Sequence, residues 1–161
     1  MLSLRFTLFS APLIYALMLS PVSASPASDA IKLINKARVS QNLGRLSKSS
    51  ALNKAALAHA KELERRGYGV KSRFKSHYSL DGSDVRERLA KVGTKSCITV
   101  ENLAWGQTSA EEVVNDWLNS KGHRFNILYP KITRIGVAVS DRTWVMVASK
   151  PCKRRLRNLF K

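Results

Sequence analysis

The chain has 161 residues, with 28 Lys and Arg against 11 Asp and Glu, a net charge of +17. That length is enough for one domain with a core. Two cysteines exclude a cysteine-rich zinc module, and the charge attracts polyanions without specifying which one.

Residues 1–24 read as a signal peptide rather than as part of the fold. Arg5 gives a basic start, an apolar run extends through Leu13 to Leu19, and Val22-Ser23-Ala24 forms a small-residue cleavage site. Removing them leaves a domain over 25–152 and a basic tail over 153–161, with a charge of 17 − 1 = +16 because only Arg5 is lost. Export puts Cys97 and Cys152 in an oxidising compartment, secreted or periplasmic, where they are expected to pair.

In chain order, Ser28 or Asp29 is expected to cap a first helix carrying Ile31, Leu33, Ile34 and Ala37, ended by Asn42-Leu43-Gly44. Leu46 reads as a buried connector. Ser49 or Ser50 opens a second helix with Leu52, Ala55, Ala56, Ala58, His59 and Leu63 inward and Gly67 and Gly69 at its end. His59 reads as structural. Residues 70–82 lack a helical period and read as a long basic loop holding His77 and Tyr78. Ser83 or Asp84 caps a short helix with Val85, Leu89 and Val92, closed by Gly93.

Cys97-Ile98-Thr99-Val100 is extended and leads into Glu101-Asn102-Leu103-Ala104-Trp105-Gly106. A carboxylate after an apolar run is ordinarily at the surface; buried, it needs a charge, a metal or hydrogen bonds. Thr108 or Ser109 caps the next helix, whose inward face holds Val113, Val114, Trp117 and Leu118. Ser120-Lys121-Gly122 is expected to stop it with a left-handed glycine cap, leaving His123 on a turn. Two strands follow, Ile132 to Val139 and Thr143 to Ser149, joined across Ser140-Asp141-Arg142. Ile135, Val137 and Val139 share one face; Gly136 and Ala138 on the other leave room for a helix. There are no internal repeats. The tail Lys153-Arg154-Arg155-Leu156-Arg157-Asn158-Leu159-Phe160-Lys161 can lie on an anionic membrane or remain a solvated end.

This order of pieces resembles the CAP superfamily, the cysteine-rich secretory, antigen 5 and pathogenesis-related domain also called the SCP domain. The matching stretches are ALAHAKEL, SHYSLDGS, ENLAWG, VNDWLNSKGHRFNIL and IGVAV, followed by a last strand with Trp144. The resemblance covers roughly residues 28–149 and is closest to the bacterial, exported branch. It implies an α+β fold, an α-β-α sandwich with a small antiparallel sheet between helices. It also implies a cleft with His77, Glu101 and His123, supported by Asn102, Trp117, Ser120 and Asn126. Ser120 stands where eukaryotic members place a second glutamate, and Val100 replaces the glycine of their G-E-N motif.

Two imidazoles and a carboxylate, completed by water, can hold a divalent cation, zinc above others. The same three groups can instead only hydrogen-bond one another and hold helices to the sheet. A metal-dependent peptide or ester hydrolase in this cleft is the enzymatic alternative. A Ser120–His123 nucleophile and base lacks an acid placed behind the histidine and a signalled oxyanion hole. The reading adopted is a binding module with anionic lipid or a cell-envelope polyanion as partner, met by Lys71, Arg73, Lys75, Lys153, Arg154, Arg155 and Arg157. Nucleic acid is disfavoured because no aromatic platform or recognition-helix signature accompanies the basic residues.

Overall fold

Pro26 sets the start of the first helix. A proline lacks the N–H that a helix's first turn leaves unpaired anyway, so it suits the first helical position. Helix α1 runs Pro26–Ser40 and its cap is Ser25, whose hydroxyl accepts from the Ser28 N–H, rather than Ser28 or Asp29. The computed structural model describes residues 25–67 and 75–152. The expected signal peptide and the expected anion-contacting groups Lys71, Arg73, Lys153, Arg154, Arg155 and Arg157 lie outside the described residues, as does the Lys75 side chain.

The remaining elements are β1 (Ser47–Lys48), α2 (Ser50–Arg65), a 3-10 turn (Lys75–His77), α3 (Val85–Lys91), β2 (Ser96–Trp105), α4 (Ala110–Asn119), α5 (Lys121–Leu128), β3 (Arg134–Ser140) and β4 (Thr143–Pro151). The sheet is four-stranded in the order β1-β3-β4-β2. β2, β4 and β3 are antiparallel neighbours, while β1 pairs parallel to β3, Lys48 opposite Ile135. The sheet is therefore mixed, where the sequence had suggested an antiparallel one. Two residues between a buried Leu46 and a helix cap carry no strand period, so nothing in Ser47-Lys48 announces the pairing.

Alternation along β3 and β4 divides the helices between two faces. Ile135, Val137, Trp144 and Met146 pack under α1, α4 and α5, against Ile31, Ile34, Val113, Trp117 and Ile127. Ala138, Val145 and Val147 pack under α2 and α3, against Leu52, Ala56, Leu63 and Leu89. The result is the expected α-β-α sandwich. Gly136 explains how α2 approaches so closely. A Cβ there would lie 2.4 Å from the Asn53 nitrogen and from the Leu52 carbonyl carbon. On α2, Ala58 is exposed and Ala60 takes the inward place. Cys97 and Cys152 are bonded, tying the start of β2 to the residue after β4.

Candidate cleft at the edge strand

β2 is an edge strand, so both of its faces and one of its sides can border a groove. Its alternation sends Glu101, Leu103 and Trp105 toward the α2–α3 layer and Asn102 and Ala104 toward the opposite layer. A cleft of about 680 Å³ lies beside it, lined by His77, Leu103, Trp105, Asp116, Trp117 and His123 among others. His77 comes from the loop before α3 and His123 from α5, so the two imidazoles reach one hollow from different layers.

Glu101 does not line that hollow. Its side chain is 3% exposed, and both oxygens are engaged. Oε2 accepts from Arg88 Nη2 at 2.5 Å, and Oε1 pairs with His77 Nδ1 at 2.9 Å. With a carboxylate as acceptor, Nδ1 carries the proton, so a neutral His77 ring has its lone pair on Nε2. Arg88 also donates through Nη1 to the backbone oxygens of His77 and Ser83, at 3.1 and 3.0 Å. The guanidinium thus compensates a buried carboxylate and fixes the backbone that carries His77.

Arg88 is absent from the sequence-based site. Its signal is positional: it lies three residues after Val85, beside Leu89, on the inward stripe of α3, where a charged side chain needs a partner. α3 itself begins with a capping box, Asp84 accepting from the Arg86 and Glu87 N–H groups while Glu87 accepts from the Asp84 N–H.

The position of His123 corrects the turn expected there. α4 ends at Asn119, and Ser120, in an extended conformation (φ −93°, ψ 122°), is at once its C-cap and the cap of α5. Gly122 lies inside α5 and not in a left-handed cap. One extended residue bends the chain without consuming a loop, and His123 becomes the third residue of a helix. Two amides lock that helix to β2. Asn126 Nδ2 donates to the Glu101 backbone oxygen at 3.1 Å and to Asn102 Oδ1 at 2.9 Å. Asn102 Nδ2 in turn donates to the His123 oxygen at 3.0 Å. Trp117 Nε1 donates to the Leu103 oxygen at 3.2 Å, so Asn102, Trp117 and Asn126 all act between the helices and the edge strand, and Ser120 lines the cleft. Asp116, Gln107 and Trp105 also line it and were not singled out from sequence; Gln107 Nε2 donates to Asp116 Oδ2 at 2.8 Å.

His59 lies beneath the cleft. It is buried on α2, and its Nε2 pairs with the Ser76 oxygen at 2.8 Å, one residue before His77. Burial pushes its pKa down; the Glu101 charge opposes that shift and the Arg88 charge adds to it. Its Nδ1 has no hydrogen-bond partner among the described residues.

Among the described residues, no group of three or more His, Cys, Asp or Glu is arranged to hold a metal ion. Of the expected trio, Glu101 turns its oxygens to Arg88 and His77 and not into the cleft. The imidazoles of His77 and His123 are the cleft groups that could ligate a cation, with Glu101 behind His77 at Nδ1.

A family model described as the cysteine-rich secretory protein family, CAP, matches residues 31–146. An uncharacterized protein of Bacillus subtilis, YkwD, is 35% identical over 107 residues, 66% of this chain and 39% of that protein. An uncharacterized membrane protein of the same organism, YlbC, is 27% identical over 112 residues, 70% of this chain and 31% of that protein. The chain thus spans about two fifths or less of the length of these curated relatives. Among solved structures, an extracellular SCP-domain protein of Bacillus anthracis superposes with a TM-score of 0.71 at 25% identity, over 78% of this chain and 40% of the other. An outer surface protein of Borrelia burgdorferi gives 0.69 at 25% identity, over 79% and 93%. A cysteine-rich secretory protein of Staphylococcus aureus shares the fold, at 0.62 and 19% identity, over 83% and 40%. The extracellular description of the Bacillus anthracis protein agrees with an exported location for this chain.

Proposed function

We propose that this chain, which belongs to the cysteine-rich secretory protein family, is an exported binding module. Its edge-strand cleft receives the ligand, and its basic surface meets anionic lipid or a cell-envelope polyanion. One observation carries the preference for binding over turnover. The carboxylate that a metal-water hydrolase would use as its base is committed to Arg88 and His77 inside the protein. What faces the cleft is a wall of Leu103, Trp105 and Trp117 with polar points at His77, Gln107, Asp116, Ser120 and His123. An apolar wall with few polar points is the usual composition of a small-ligand site.

A divalent cation, zinc first, would be held by His77 Nε2 and His123, with water completing the set and Glu101 orienting His77 through Nδ1. Zinc titration of the wild type and His123→Ala separates this from a purely structural role. A clear loss of affinity in the variant supports the cation; equal affinity removes it.

The anionic partner is supported by the net charge, +17 for the whole chain and 17 − 1 = +16 without residues 1–24. Vesicles containing anionic phospholipid, and a soluble envelope polyanion, are the two probes. Binding to either should weaken steeply with salt, because exposed charges are screened beyond a Debye length of about 10 Å at 0.1 M. Binding indifferent to salt and to lipid charge refutes the electrostatic part of the reading.

A further inference from the structure

The outer face of α5 points away from the cleft and carries Phe125, which is 62% exposed. A phenyl ring so exposed loses apolar contact that the fold has not supplied. It stands with its centroid 5.4 Å from that of Tyr129, and the two share an open hollow of about 650 Å³ with Lys121, Arg124 and Leu128. Two cations therefore rim an aromatic floor.

The stretch of chain that carries this face is charged in one sign. From Trp117 to Ser140 the chain has Lys121, Arg124, Lys131 and Arg134 and no Asp or Glu. The face is also held firm from behind. Buried Arg38 donates through Nη1 to the backbone oxygens of Ile127 and Tyr129, at 2.7 and 3.1 Å, pinning the C-terminal end of α5. An exposed phenyl ring beside a half-buried tyrosine on a fixed helix end, flanked by two cations, matches an anionic interface: the phenyl ring enters the headgroup and acyl boundary while the cations meet phosphates. A water-soluble polyanion would use the cations and leave Phe125 unexplained.

We propose that the Phe125–Tyr129 face of α5 docks on anionic phospholipid membrane, with Phe125 entering the interface and Lys121 and Arg124 contacting the headgroup phosphates. This rests on the anionic-partner reading above and specifies its surface.

The test is sedimentation of the protein with vesicles of anionic or zwitterionic phospholipid, comparing wild type, Phe125→Ala and the Lys121→Ser/Arg124→Ser double variant. Because Phe125 is exposed, Phe125→Ala leaves thermal unfolding in place. Binding to anionic vesicles is expected to fall about tenfold in Phe125→Ala. Each cation removed should weaken it by a further factor of about five. In Phe125→Trp, indole emission should shift to shorter wavelength on anionic vesicles only. Wild-type binding that all variants retain overturns this surface while leaving the anionic-partner reading intact. A soluble envelope polyanion that binds wild type and Phe125→Ala equally, with no vesicle binding, overturns the membrane as occupant. A dimer abolished by Phe125→Ala, with vesicle binding unchanged, assigns the face to a second copy and also overturns it. A wild type that binds neither vesicles nor polyanion removes the reading beneath it as well.

Discussion

Replacing Arg88 by methionine tests the logic of the cleft directly. The Arg88 and Glu101 side chains are 7% and 3% exposed, so water screens little of their attraction. Methionine roughly keeps the volume and removes the charge, leaving a buried carboxylate with His77 as its remaining side-chain partner among the described residues. Breaking one side of such a pair costs about 3–5 kcal/mol. Total stability of a domain this size is about 5–15 kcal/mol, so the variant should lose a large part of it. With a urea m-value of about 1–3 kcal/mol/M, the unfolding midpoint should fall by about 1–5 M, with m unchanged. The companion variants are Glu101→Gln and the double Arg88→Met/Glu101→Gln. Removing the charge at the same time removes most of the penalty, so the double should be more stable than the sum of the singles predicts, by about 2 kcal/mol. Additivity within about 0.5 kcal/mol would refute the view that Arg88 is there to compensate Glu101. A single-variant cost below about 1 kcal/mol, the scale of surface pairs, would refute the burial argument itself.

Other outcomes follow from neighbouring geometry. Gly136→Ala places a Cβ 2.4 Å from the α2 backbone and should cost about 3 kcal/mol in chemical unfolding; an unchanged midpoint would mean α2 is not seated as described. Replacing both Cys97 and Cys152 by alanine opens a 55-residue loop and should cost about 4 kcal/mol by chain entropy, read from urea midpoints of the oxidised wild type and the variant. His59 has a folded pKa below its ordinary 6.5, so the unfolded chain binds the extra proton first. Its contribution is fully present above pH 6.5 and is lost as pH falls from 6.5 toward the lowered folded value. His59→Gln should flatten that part of the stability profile; an identical acid-side slope in both proteins would count against a buried neutral imidazole.

What could be read from sequence is sharpest where one residue speaks for its own surroundings. Ser109 followed by acidic Glu111 and Glu112 forecasts the start of α4, and Val113, Val114 and Trp117 forecast its buried face. Gly136 and Ala138 forecast a helix pressed on β3. The motif resemblance brought His77, Glu101 and His123 to one region although they are far apart in the chain. What escaped depends on pairs. Arg88 gains its meaning from Glu101, 13 residues away, and no local period shows that a guanidinium on an apolar stripe is satisfied across the fold. Gly122 looked like a helix stop because glycine tolerates that conformation; Ser120 took the extended backbone instead and let α5 begin at once. β1 escaped because its two residues pair only once β3 exists.

The two histidines reach one cleft on supports that come from both layers of the fold. His77 is set from its side chain: Glu101 holds Nδ1, and Arg88 holds both Glu101 and the His77 backbone. His123 is set from its backbone: Asn102 holds its carbonyl, and Asn126 ties the same helix to the Glu101 backbone. Both supports converge on Glu101 and Asn102, adjacent residues of an edge strand whose side chains point to opposite layers. Adjacent strand positions are the only ones that can reach both layers at a single level of the sheet. The Glu-Asn pair therefore works as a two-sided clamp, one arm charged and one amide. Under the binding reading proposed above, a ligand in this cleft would meet groups already fixed in place, and less entropy would be lost on binding.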